Sequence, residues 1–196
     1  MISLNKFLPQ ISGFLNTTPA ALYERQRQLV RLGILTAEKG HGPGSGVKLS
    51  ADGVAALLIA LLATDNLSDT NDQIRLFLDS RPNDQIRLFL DSRPLVKSAK
   101  IGAKTFREVL AAFLLSPKKM PDLEFIEVHR SMLLAQIWFM RGKKFSHTTF
   151  ATPRPRDFVL PGGIDVKASI GKNTLFSVSL ALTAALGNQI KEGKRL

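Results

Sequence analysis

The sequence predicts an α+β protein, on three observations. Thr17 to Ser50 passes from a helical period to two short strand-like stretches around a glycine-rich loop. Gly53 to Thr64 is an almost uniformly apolar run of helix length, and Lys104 to Leu115 sets Phe106, Val109, Leu110, Phe113 and Leu114 on one helical side. Beyond Pro121 the period shortens to that of strands. The expected organisation is a winged helix-turn-helix over residues 1–66, a linker and helical segment over 67–120, an α+β domain over 121–190 and a basic tail over 191–196.

At the start of the chain Leu4, Phe7, Leu8, Ile11, Phe14 and Leu15 are apolar. Pro9 lacks the N–H of a helix interior and its ring crowds the preceding turn, so the first helix is expected over Pro9 to Asn16. A hydroxyl-rich turn, Thr17-Thr18, follows. Thr18 can cap a second helix and Pro19 suits its first position. Gly33 supplies the stop, because a left-handed residue after the last turn is cheapest in glycine. Two helices so spaced make a helix-turn-helix. The stretch Gly40-His41-Gly42-Pro43-Gly44-Ser45-Gly46 is too long for a two-residue hairpin turn, which makes it a candidate wing.

At about 100° per residue the second helix places Leu22, Gln26 and Leu29 on its core side, flanked by Val30 and Leu32. Opposite lie Ala20, Tyr23, Glu24, Arg27 and Arg31, a polar face with a small residue near its N-terminal end. Such a face suits a major groove: phosphates take Arg and Lys, base edges take Arg, Gln or Asn, and thymine methyls take small apolar groups. The candidate DNA contacts are Thr18, Ala20, Tyr23, Arg25, Arg27 and Arg31 from the helix and Lys39, His41 and Lys48 from the wing, with Arg25 nearer the core side. A solvated helix face would have the same composition, and the wing beside it tips the reading towards DNA.

The run Leu29 to Leu49, LVRLGILTAEKGHGPGSGVKL, followed by Ser50-Ala51-Asp52-Gly53, resembles the recognition-helix, wing and wing-to-helix passage of bacterial winged helix-turn-helix regulators, the MarR type among them. The wing departs from that pattern in lacking an Asp-x-Arg element. The resemblance implies a DNA-binding fold and says nothing of an effector or an operator.

Ser50 and Asp52 can cap the next helix, whose Val54 to Ala63 run has hardly any polar face and must be buried, a dimer interface being one way to bury it. Asp65 to Asp72 reads as a polar linker. Asn71 to Pro82 and Asn83 to Pro94 are the same twelve residues, NDQIRLFLDSRP, in direct tandem, with Ile74, Phe77 and Leu78 matched by Ile86, Phe89 and Leu90. Twelve helical residues turn by about 1200°, so one continuous helix would carry the two stripes roughly 120° apart. Pro82 also discourages continuation. Two copies fall short of a repeat architecture and read as an in-frame duplication.

Strands are expected over Phe125 to Val128, Leu133 to Met140 and Ser146 to Thr152, with Arg141-Gly142-Lys143-Lys144 as a basic hairpin turn. Pro153-Arg154-Pro155-Arg156 reads as a loop. Thr174 to Leu186 fits an alternating strand or a helix aligning Leu175, Ser179, Leu182 and Leu186; its alanines and the following Gly187 favour the helix.

The formal charge of +11 is unevenly placed: +3 over residues 1–64, −2 over 65–94 and +10 over 95–196. A polyanion is the natural partner of such a C-terminal half. The chain has no cysteine, which removes disulfides and thiolate chemistry. No secretion signal is evident, and the longest apolar run is short of the roughly 20 residues a bilayer needs, so a cytoplasmic protein is expected. His41, His129 and His147 form no helical pair; Ser45 in GPGSG is not a nucleophile elbow; Gly171-Lys172-Asn173 lacks the remainder of a phosphate loop. No catalytic residue, metal or cofactor is expected. The composite expectation is a non-enzymatic, sequence-specific regulator of transcription that binds double-stranded DNA as a homodimer. The alternative is a phage or plasmid assembly protein that holds nucleic acid. An RNA-binding module would show itself by aromatics displayed on a sheet, for which Phe125, Trp138, Phe139, Phe145 and Phe150 are available, several of them as core.

Overall fold

A computed structural model describes residues 2–38, 46–64, 92–94, 105–119, 121–130, 134–151 and 167–193. The expected wing tip with Lys39 and His41, the expected linker at 65–72, the expected loop at 153–156 and all of the duplication except Ser92, Arg93 and Pro94 lie outside the described residues. Over these residues the chain is a mixed α+β fold with five helices, a five-stranded antiparallel sheet and a two-stranded sheet. It divides into two compact units, one of Met1–Leu58, Leu110–Pro121 and Asn173–Leu196, the other of Ile59–Val109 and Asp122–Lys172. Helices at 51–63, 106–115 and 172–193 each give residues to both units.

In the first unit, α1 (Leu4–Ser12) begins five residues before the expected start and holds Pro9 inside it. Leu4, Phe7, Leu8 and Ile11 have no accessible surface. Burying four such side chains at about 1.5–3 kcal/mol each outweighs the penalty of about 3 kcal/mol for an interior proline. A turn through Asn16, at φ 48°, leads to α2 (Pro19–Arg31). Thr18 Oγ1 accepts from Ala21 N at 3.2 Å, as a cap should. Gly33 ends α2 at φ 68°, with Ile34 N donating to Leu29 O and Gly33 N to Val30 O, both at 2.9 Å, the paired bonds of a Schellman motif.

Strands β1 (Ala37–Glu38) and β2 (Gly46–Val47) pair antiparallel. Ser3 bridges Lys48 beyond β2, and Leu49 N donates to Ile2 O at 3.2 Å. Helix α3 (Ala51–Ala63) follows, with Ser50 Oγ accepting from Gly53 N at 3.0 Å. Val54 to Ala60 are wholly covered within the single chain, so α3 is buried without the dimer interface that its sequence allowed.

The remainder of this unit comes from the end of α4 (Phe106–Leu115) and from α5 (Lys172–Gly193). Leu175, Val178, Ser179, Leu182 and Ala185 are the buried side of α5, which runs through Gly187 rather than stopping there. Ser179 Oγ donates to Leu114 O at 2.6 Å. That carbonyl lies in the last turn of α4, where helical donors run out and Pro117 has no N–H to give.

The second unit is built on a sheet ordered β3-β6-β5-β4-β7, from β3 (Arg93–Pro94), β4 (Leu123–His129), β5 (Leu134–Arg141), β6 (Lys144–Ala151) and β7 (Lys167–Gly171). The expected turn joins β5 to β6: Gly142 alone of its two central residues has positive φ, at 59°, the pattern of a type II′ hairpin. Strand β7 was not expected from the sequence. Ile126, Val128, Ala135, Ile137, Phe139, Phe150 and Ile170 fill one face of the sheet, and Phe106 of α4 meets Phe150 at 5.3 Å between ring centroids. Thr105 and Glu108 close a capping box at the start of α4, Thr105 N donating to Glu108 Oε2 at 2.7 Å and Glu108 N to Thr105 Oγ1 at 3.2 Å. Arg130, just past β4, donates from Nε to Leu62 O at 2.7 Å and from Nη2 to Thr64 O at 3.2 Å, answering the carbonyls at the C-terminal end of α3.

Candidate nucleic-acid interface

The orientation of α2 is set by Asn5. In a helix the N–H of residue 9 would donate to the carbonyl of residue 5, and Pro9 has none. The Tyr23 hydroxyl donates to that carbonyl instead, at 3.0 Å. One turn further along α2, Gln26 Nε2 donates to Asn5 Oδ1 at 2.5 Å. Both oxygens of one residue of α1 therefore hold one side of α2, whose buried positions are Leu22, Arg25, Gln26 and Leu29.

Ala20, Glu24, Arg27 and Arg31 are exposed together on the other side of α2. Arg27 Nη1 lies 2.6 Å from Glu24 Oε1 in an exposed i, i+3 pair. Thr18 is exposed at the helix start with its hydroxyl engaged as the cap. Lys48 is exposed beyond β2. Tyr23 and Arg25 do not join this face. The Tyr23 side chain is half-buried with its hydroxyl committed to Asn5, and Arg25, only 3% exposed, belongs to the 22-25-26-29 stripe that a 3.6-residue period turns inward. Gln28, half-buried, follows Glu24 by one turn and shares its side. The sequence reading passed over Gln28, although its amide suits base edges and its i+4 spacing was legible.

Among the described residues the histidines give no site of their own. His129 is buried with Nε2 at 3.0 Å from Glu127 Oε2, while His147 stands on β6 with its ring centroid 4.5 Å from that of Trp138. Among the described residues no group of three His, Cys, Asp or Glu side chains could hold a metal ion, and no helix is long and apolar enough to cross a membrane. Comparison with known protein families, with curated proteins and with solved structures finds no match to this chain.

Proposed function

We propose that the chain is a sequence-specific transcriptional regulator that binds double-stranded DNA, with α2 presented to the major groove in a winged helix-turn-helix arrangement. One observation carries the reading: Ala20, Arg27 and Arg31 are exposed on one side of a helix whose other side is fixed by Leu22, Gln26 and Leu29. Groove readout needs a rigid helix that brings its backbone close at a small residue and reaches bases and phosphates with long cations. The order helix, helix, two-stranded ladder, helix, with Ser3 adding a third pairing at Lys48, supports the winged arrangement. An exposed pair such as Arg27–Glu24 is worth at most about 1 kcal/mol, so Arg27 can exchange Glu24 for a phosphate or a guanine edge. Lys48, and Lys39 and His41 from the wing, would follow the flanking backbone. The protein would act in the cytoplasm as a homodimer on a palindromic site, pairing through a surface other than the enclosed α3.

Selection of bound duplexes from a random pool tests this directly. A motif should emerge, and the Arg27→Ala/Arg31→Ala variant should lose it; a motif that survives the double change sinks the assignment. The cationic excess beyond residue 95 favours one second reading, an assembly component that holds DNA without sequence preference. Tight, steeply salt-dependent binding with no motif would select it.

A further inference from the structure

Phe125, Trp138 and His147 form one row across three neighbouring strands of the second unit. Phe125 is in register with Trp138, and Trp138 with His147. The first two rings stack with centroids 5.5 Å apart and planes at 18°, and the second pair lies 4.5 Å apart at 37°. Met140 and Phe145 make the next row towards the β5–β6 turn, 36% and 59% exposed. On the far side the row ends at Gly171 of β7, where an added Cβ would meet nothing within 4 Å. Of the aromatic residues counted as possible bases for recognition, Phe139 and Phe150 face the core, and Phe125, Trp138 and Phe145 face away from it.

The charge around these rings is mostly basic, Glu124 beside Phe125 being paired with Lys172 at 3.1 Å. Lys143 and Lys144 are exposed at the hairpin turn, Lys167 is exposed on β7, and residues 134–151 contain no acidic side chain. Glu127, the acid on this face, has a side chain only 16% accessible and set against His129. We propose that this face is a stacking platform for single-stranded nucleic acid. The row leaves the outer faces of its two end rings, Phe125 beside Gly171 and the exposed His147, to unstacked bases, and Lys143 at the turn answers the phosphodiesters. A duplex keeps its bases stacked on one another and cannot use the rings. An apolar protein partner would use the rings and bring no counter-charge to Lys143 and Lys144. Single-stranded DNA and RNA share the chemistry, and the platform is separate from α2.

Trp138 is the only tryptophan of the chain, so its emission reports on this surface alone. The test uses the full chain carrying Arg27→Ala/Arg31→Ala, which keeps its outcome distinct from that of the duplex-binding proposal. Short oligothymidylate, oligouridylate and an abasic strand of equal length are titrated while Trp138 emission is followed. The base-bearing strands should quench it and bind at least about tenfold more tightly than the abasic strand. Phe145→Ala, at an exposed position where folding is not at stake, should weaken the base-bearing strands about tenfold and leave the abasic strand unchanged. Tighter binding of oligouridylate assigns the platform to RNA, and of oligothymidylate to DNA. Equal affinity for abasic and base-bearing strands, or unchanged emission at saturation, overturns the proposal.

Discussion

Tyr23 gives its hydroxyl proton to the Asn5 carbonyl, the acceptor that Pro9 leaves without a helical donor. A defect in one helix has thus become the attachment point of the next. Tyr23→Phe should cost about 1–3 kcal/mol, the price of an acceptor left unanswered. Pro9→Ala restores a helical N–H to Asn5, so in that background the same change should cost less, with a coupling of at least about 0.5 kcal/mol. Denaturant unfolding of the four chains measures it, and strict additivity would show that the two donors do not share the carbonyl.

On the proposed reading, Glu24→Gln should tighten duplex binding about two- to fivefold at low salt, because it releases Arg27 from an exposed pair and removes a negative charge from the side of α2 proposed to meet phosphates. Fluorescence anisotropy against a fixed duplex reads the change. Weaker binding would place the duplex elsewhere on the molecule.

Two helix ends depend on one distant side chain each. Ser179→Ala leaves the Leu114 carbonyl without its 2.6 Å donor in a buried setting and should cost about 1–3 kcal/mol. Arg130→Ala removes charged donors from Leu62 O and Thr64 O and should cost about 1.5–3 kcal/mol. Arg130→Lys should recover only part of this, since a single ammonium does not reproduce the two-nitrogen fork. Thermal unfolding that leaves either alanine variant unchanged contradicts the bonds described.

Removing one copy of NDQIRLFLDSRP yields the same chain whichever copy is cut. The retained Arg-Pro should pair with β6 as Arg93-Pro94 does, and denaturant unfolding of the shortened chain should stay cooperative. Loss of cooperative unfolding would mean that both copies are built into the fold.

What the sequence disclosed was what local chemistry decides. Thr18-Pro19 starts α2 and Gly33 ends it because a cap, a missing N–H and a positive φ are properties of single residues. The hairpin at Gly142-Lys143 was legible for the same reason, and the exposed side of α2 followed from its period. The start of α1 was misjudged because the burial of Leu4, Phe7, Leu8 and Ile11, a tertiary quantity, overrides Pro9. Strand β7 escaped notice because Lys167-Ala-Ser-Ile-Gly carries one large apolar residue and owes its form to β4, some forty residues earlier. Tyr23 was assigned to the solvent face because its partner is 18 residues away. The Thr105–Glu108 capping box was written in the sequence as T-x-x-E and went unread.

The sheet ends at β3 in a two-residue strand whose second member is Pro94. A strand arriving from another molecule would find there a carbonyl with no N–H beside it, next to the exposed, charged Arg93. Over the two residues of β3 the sheet edge is a poor template for its own extension. For a chain that leaves Phe145, Leu180 and Leu115 more than half exposed, molecules brought together at high concentration would meet at β3 through side chains instead of a new ladder.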